Sequence, residues 1–247
     1  MSHSYDQYWS TAGQWAARAG QISAEEHVLF QKYVGKGKAC LDYGCGDAAR
    51  YPGLLVSLGA SYTGFDVSQV AVTEARSRGL EAKLFRSDNS IDAPDNSFDV
   101  AVCLEVFEHL QDPEFACRDI LRVLKPGGIL IASVPNAAHW FQRLEFLFTG
   151  FFNPGGSALT ARKAPWRDPH IRFFSRSLFR RLAQTCGFEI AGQLSENFSL
   201  RGLPYVYRSP RLGAVAGALS FPFGWLGKML PSLFSGRLFI VARKPGR

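Results

Sequence analysis

Five short apolar runs set the rhythm of the chain, at residues 40–43, 61–66, 82–85, 98–104 and 129–134. Each is too short for a buried helix and is bounded by glycine or polar residues, which predicts strands. Between them lie segments with apolar positions at helical spacing. These predict helices over 48–58 with Asp47 as cap, over 68–78 with Ser68 as cap, and from Asp112-Pro113 to Leu124. Gly59, Gly79 and Lys125-Pro-Gly-Gly128 stop them. Strand and helix alternate over nearly a hundred residues, the βαβ pattern of a doubly wound parallel sheet with helices on both faces.

The flanks are less regular. A helix is expected over 14–34, behind the aromatic opening Tyr5-Asp-Gln-Tyr-Trp9. Beyond Pro135 the pattern predicts an aromatic helix near 139–148, a loop rich in glycine and proline to Pro169, a basic helix near 175–186, and strands at 188–194 and 237–242. The expected organisation is a cap over 1–37, a nucleotide-type core over 38–195 carrying a substrate-side insertion at 136–187, and a basic, apolar extension with the last strand over 196–247.

At 247 residues and 47% hydrophobic, the chain suits one globular unit with a sizeable core. Its 5 cysteines have no metal-ligand spacing, and its start has no signal-peptide pattern. A reducing, cytoplasmic setting without metal is therefore expected. Charge is uneven: residues 1–157 carry 13 Lys/Arg against 18 Asp/Glu, and residues 158–247 carry 15 against 3. The basic half calls for an anionic contact, a phosphorylated or carboxylated substrate or a peripheral membrane face. No nucleic-acid motif accompanies it, and the apolar stretch 212–226, broken by Pro222, is too short to span a bilayer.

The chemistry starts where the first strand opens into Asp42-Tyr-Gly-Cys-Gly-Asp47. Gly44 and Gly46 allow a tight turn with close backbone approach to a ligand. Asp66 follows Gly46 by 20 positions at the end of the second strand, where a carboxylate accepts ribose hydroxyls. A dinucleotide would place pyrophosphate at this turn, but Asp42 and Asp47 would repel it. A cationic, phosphate-free adenosine fits instead: S-adenosylmethionine, with Asp88 after the third strand available to the adenine amino group.

Leu41-Asp-Tyr-Gly-Cys-Gly46, Gly64-Phe-Asp66, Ser87-Asp88, Ser97-Phe-Asp-Val100, Glu105-Val-Phe-Glu-His-Leu110 and Leu124-Lys-Pro-Gly-Gly128 together resemble the class I S-adenosylmethionine-dependent methyltransferases of the small-molecule type. The resemblance implies a Rossmann-like, seven-stranded, mostly parallel sheet. It also implies that Asp42, Gly44 and Gly46 approach the methionine portion, Asp66 the ribose and Asp88 the adenine. Glu105, which follows the fourth strand at the ligand-binding edge, is a further candidate on the cofactor side or as a base. A second set, Ser133-Val-Pro-Asn136, His139-Trp140, Phe148-Thr-Gly150 and Pro165-Trp166 through His170, resembles the MetW-type proteins, partners of homoserine acyltransferase. The aromatic leader and the segment from Glu196 onward depart from that pattern, so the expected function is methyl transfer to a small or lipid-linked metabolite at oxygen.

Methyl transfer needs alignment and, for a hydroxyl acceptor, removal of a proton. Glu108 and His109, after the fourth strand, and His139 and His170, bracketing the insertion, are the candidate bases. The alternative for each is a helix cap or a structural hydrogen bond.

Overall fold

A computed structural model describes residues 22–152, 169–197 and 229–246, together with Asp6 and Trp9. Among them, the five apolar runs form the strands β1 (Ala39–Tyr43), β2 (Ser61–Asp66), β3 (Ala82–Leu84), β4 (Phe98–Leu104) and β5 (Leu124–Pro135). Two more, β6 (Glu189–Asn197) and β7 (Ser235–Arg243), complete a seven-stranded sheet of order β3-β2-β1-β4-β5-β7-β6. The first five strands pair in parallel and β7 runs antiparallel to both neighbours. The central strands are apolar on both sides because helices cover both faces. One core gathers Leu41, Phe65, Phe107, Ile120, Leu130 and Phe179; the other gathers Phe30, Cys40, Leu55, Val72, Val102 and Ile131.

The helices that lie wholly within the described residues are α1 (Ala24–Tyr33), α2 (Pro52–Ser57), α3 (Gln69–Ser77), α4 (Pro113–Val123), α5 (Trp140–Thr149), α6 (Arg176–Thr185) and the single turn α7 (Pro231–Phe234). Local chemistry sets most of their starts. Ser68, Asp112 and Ser175 each accept a backbone N–H of the first turn. Ser23 and Glu26 form a reciprocal capping box on α1. The expected cap at Asp47 is displaced: Ala48 has φ 54°, Asp47 turns to the N–H of Ala49 and the guanidinium of Arg78, and α2 begins only at Pro52. Proline supplies a preset φ at a first helical position where no N–H is needed, so it overrides the upstream aspartate. The opening of the helix expected over 14–34, most of the aromatic leader, the loop over 153–168 and the stretch 198–228 lie outside the described residues.

Antiparallel entry of β7 carries Arg237 to the carboxyl edge of the parallel strands, opposite Pro135 on one side and Glu196 on the other. There it meets the Glu26 carboxylate at 3.0 Å and the Glu196 carboxylate at 2.7 Å. Glu26 is fully buried and also pairs with Arg50 at 2.9 Å. Removing one member of a buried ion pair leaves an uncompensated charge, which costs on the order of 3–5 kcal/mol. Arg237→Met is accordingly expected to lower unfolding stability by that order in urea titrations, and a second change, Glu26→Gln, to recover part of it. Equal stability of Arg237→Met and the parent would refute this role.

Candidate functional site

The carboxyl ends of β1, β2, β4 and β5 converge where chain order reverses between β1 and β4, the place where ligands enter open α/β sheets. Here the turn after β1 is held against β2: the N–H groups of Gly44 and Cys45 both donate to the carbonyl of Phe65, at 2.7 and 3.1 Å. Gly44 has φ 76°, and a Cβ on it would lie 2.6 Å from the side chain of Val106. Gly46 has φ 55°, and its Cβ would lie 2.5 Å from the ring of Trp9. Both positions thus need glycine for conformation and for space.

Asp66 closes this turn. One carboxylate oxygen accepts the N–H of Gly46 at 2.9 Å and the other that of Ser68 at 2.9 Å. Burial pushes its pKa up, against these N–H donors. Asp6 of the leader accepts from the hydroxyl of Ser68 at 2.6 Å, so the leader reaches the same edge, with Trp9 over the glycine turn. Tyr5 and Tyr8 lie outside the described residues.

Asp42 is fully buried between two tyrosines, accepting from Tyr51 at 2.6 Å and Tyr62 at 2.8 Å. Burial raises its pKa to about 6, while both hydroxyls and Arg50 pull it down. Neither tyrosine was evident as its partner in the sequence, since both depend on how the turn folds back. Asp88 stands apart, exposed in a turn of its own where the Ser90 hydroxyl and N–H lower its pKa. The structure thus brings Asp42, Gly44, Gly46 and Asp66 together, and leaves Asp88 in solvent beyond β3.

Glu105 ends β4 with φ 57°, outside the region that non-glycine residues favour, and two bonds to Ser133 of β5 hold it there. Its N–H donates to the Ser133 carbonyl at 3.1 Å, and its carboxylate accepts the Ser133 hydroxyl at 2.8 Å. Burial raises its pKa and Arg237 opposes the rise.

Three residues on, the single 3-10 turn Phe107–His109 carries Glu108 and His109. The Glu108 carbonyl accepts the N–H groups of Ile171 and Arg172, which straps the far side of the insertion onto this turn. His170 is thereby laid on His109, ring centroids 4.6 Å apart. Glu108, 2% exposed, has no hydrogen bond to either carboxylate oxygen. Burial, and then the Glu105 carboxylate, raise its pKa. Glu108, Pro135, Ala137, His170, Arg172 and Phe173 line a narrow cleft.

His139 takes another role. It is the N-cap of α5, and its Nδ1 accepts the N–H of Phe141 at 3.2 Å. That bond occupies the lone pair a base would use, and burial lowers its pKa to about 4. The folded state therefore binds fewer protons than the unfolded chain between about pH 6.5 and 4, so this residue's contribution to stability is lost as pH falls through that window. His139→Asn keeps a capping oxygen without a titrating ring. Its urea-unfolding free energy should fall less steeply than the parent's over that window, and parallel slopes would show that the ring is not held neutral.

A family model described as a methyltransferase domain matches residues 15–193. The ubiquinone biosynthesis O-methyltransferase of Alkalilimnicola ehrlichii is 36% identical over 107 residues, 41% of this chain and 43% of the relative. A probable S-adenosylmethionine-dependent methyltransferase of Mycolicibacterium smegmatis is 28% identical over 170 residues, 68% of this chain and 59% of the relative. The chain thus spans about half the length of the curated relatives it matches. Among solved structures, a SAM-dependent methyltransferase of Thermotoga maritima superposes with TM-score 0.63 at 18% identity, covering 99% of this chain and 100% of that one. The [4+2]-cyclase SpnF superposes with TM-score 0.56 at 24% identity, over 88% and 79% of the two chains. With a family model over most of its length and the matching sheet, the chain belongs to the class I S-adenosylmethionine-dependent methyltransferase family.

Proposed function

We propose that the protein is a methyltransferase that uses S-adenosylmethionine to methylate an oxygen of a small or lipid-linked metabolite. The observation that carries the donor side is the turn after β1: two positive-φ glycines flanked by carboxylates, closed by Asp66 at the switch point of the sheet. The fit is chemical. Backbone approach is close at Gly44 and Gly46, and the acidic surroundings suit a sulfonium and an ammonium better than a phosphate.

Gly44 and Gly46 would border the methionine portion and Asp66 the ribose, each Asp66 oxygen keeping a second lone pair beyond its backbone bond. Asp42 would act across the turn through its charge, shared with Tyr51 and Tyr62. Trp9 offers an aromatic face beside the turn, which contributes about 1 kcal/mol toward a cation. When bound, S-adenosylmethionine supplies an activated methyl group. The chain supplies alignment, a cleft that limits water, and a group that handles the acceptor proton. The cleft lined by Glu108 and His170 is the acceptor side in this reading, and the lone pair of His139 is already engaged.

An oxygen acceptor is supported by the relatives named for O-methylation. A lipid-linked or otherwise apolar acceptor is supported by the surface leading to the cleft. Phe146, Leu147 and Phe148 of α5 are exposed, and edge contacts run from Phe146 through Phe152 to Phe173 in the cleft wall. No helix among the described residues is long and apolar enough to cross a membrane.

Titration calorimetry with S-adenosylmethionine should give one site per chain. Asp66→Ala should weaken it by tenfold or more, and Asp42→Asn should weaken it while far-ultraviolet circular dichroism stays native. Carbon-13 methyl transfer into a cell extract should then give a product signal in the O-methyl range. Absence of donor binding would refute the methyltransferase reading, and an N-methyl signal would refute the acceptor assignment. Donor binding without any labelled product, with an acyltransferase co-purifying, would favour a binding partner of the MetW type.

A further inference from the structure

Glu108 presents an imbalance that hydrogen bonding does not resolve. The carboxylate is 2% exposed and neither oxygen accepts a hydrogen bond, although a buried carboxylate is costly unless paired. The neighbouring arginine does not serve it: Arg172 donates to the carbonyls of Gln111 at 2.5 Å and Ile171 at 3.1 Å. What faces Glu108 instead is two imidazole nitrogens, Nε2 of His109 at 3.8 Å and Nε2 of His170 at 4.0 Å from the same oxygen.

These separations are too long for hydrogen bonds and suit a shared ion. Two ligand atoms on one first-row divalent cation, each bonded at about 2.1 Å, lie at most about 4.2 Å apart. The three ligand atoms all fall within 4.8 Å of one another; three atoms each about 2.1 Å from one ion lie on average at most about 3.6 Å apart, so side-chain rotations that draw them together by up to about 1 Å close the set. The surroundings orient it as well. Nδ1 of His109 lies 3.1 Å from the carbonyl of Pro169, which assigns the proton to Nδ1 and makes Nε2 the nitrogen with the lone pair, the arrangement by which a backbone carbonyl commonly fixes a ligating imidazole. The two N–H bonds onto the Glu108 carbonyl hold the His170 segment against the turn, so the backbone organises the triad before any ion arrives.

We propose that Glu108, His109 and His170 form a binding site for a first-row divalent cation, with its remaining coordination positions open to the acceptor cleft. Two imidazoles and one carboxylate favour a transition ion over magnesium or calcium. The inference rests on the proposed methyltransferase reading in one respect only, the use of the ion. An acceptor hydroxyl in an open position would be fixed beside the donor site and made more acidic. Its O–H bond breaks with the electron pair left on oxygen, and the proton passes to water in the cleft. A substrate with two adjacent oxygen atoms would fill two such positions, so vicinal hydroxyls or a hydroxyl beside a carbonyl are the favoured acceptor class.

The full chain, stripped with chelator and dialysed, should be titrated with Co²⁺ under optical absorption and with Mn²⁺ and Zn²⁺ by calorimetry. One Co²⁺ per chain with ligand-field bands is expected. Glu108→Gln and, separately, His170→Gln should each weaken it at least tenfold, whereas His27→Gln should not. S-adenosylmethionine affinity is measured on the same samples, with circular dichroism to confirm folding. Donor binding with no Co²⁺ site, or a Co²⁺ site that survives in both folded variants, overturns the metal assignment and leaves the methyltransferase reading standing. A Co²⁺ site lost in the variants, in a chain that binds no donor, upholds the metal assignment and overturns that reading instead. Should Glu108→Gln fail to fold, the exposed-side variant His109→Gln decides the matter by the same readout.

Discussion

The carboxyl edge of the sheet carries more buried negative charge than it could hold unaided, and Arg237, together with Arg50, makes it tenable. Glu26 from the first helix, Glu196 from the strand beside it and, at longer range, Glu105 all lie in its field. Its position follows from topology. A parallel sheet points every strand end toward one edge, so the loops that bind ligands crowd polar groups there. Only a strand running the other way can start at that edge, and β7 does so with Arg237 in register between Pro135 and Glu196. The antiparallel strand therefore delivers a counter-charge as well as completing the sheet.

This arrangement separates the carboxylates into two kinds. Glu26 and Glu105 each have a hydroxyl, an N–H or a guanidinium to meet. Among the described residues, the buried Glu108 carboxylate on the same edge faces the imidazoles of His109 and His170. Such different partners separate the carboxylates that hold elements together from the one kept at the cleft.

Much of the scaffold was legible because local chemistry and tertiary packing agree. Ser68, Asp112 and Ser175 cap the helices their positions suggest, and the apolar runs are the strands. Asp47 misled because its neighbour Ala48 turns left-handed and Pro52 offers a better helix start. In the site, Asp66 and the two glycines were visible because the bond from Gly46 to Asp66 spans one βαβ unit, a distance that this type of fold fixes. The tyrosines on Asp42 were not, since aromatic residues in a strand and a turn read simply as core. Nor did local spacing reveal the triad. His170 reaches Glu108 only because two backbone bonds return the insertion to the 3-10 turn, and no sequence period encodes such a return.

Fold and reaction are separable in this architecture. A cyclase shares this sheet with methyltransferases, so the sheet and its glycine turn cannot by themselves specify what happens at the acceptor. The specification must come from groups added at the carboxyl edge after β4 and β5. Of the candidates there, His139 spends its lone pair on a helix start and is buried into neutrality. Glu105 spends its carboxylate on Ser133 in a strained backbone conformation. Glu108, His109 and His170 form a further polar cluster at this edge, with Glu108 and His170 bordering the cleft.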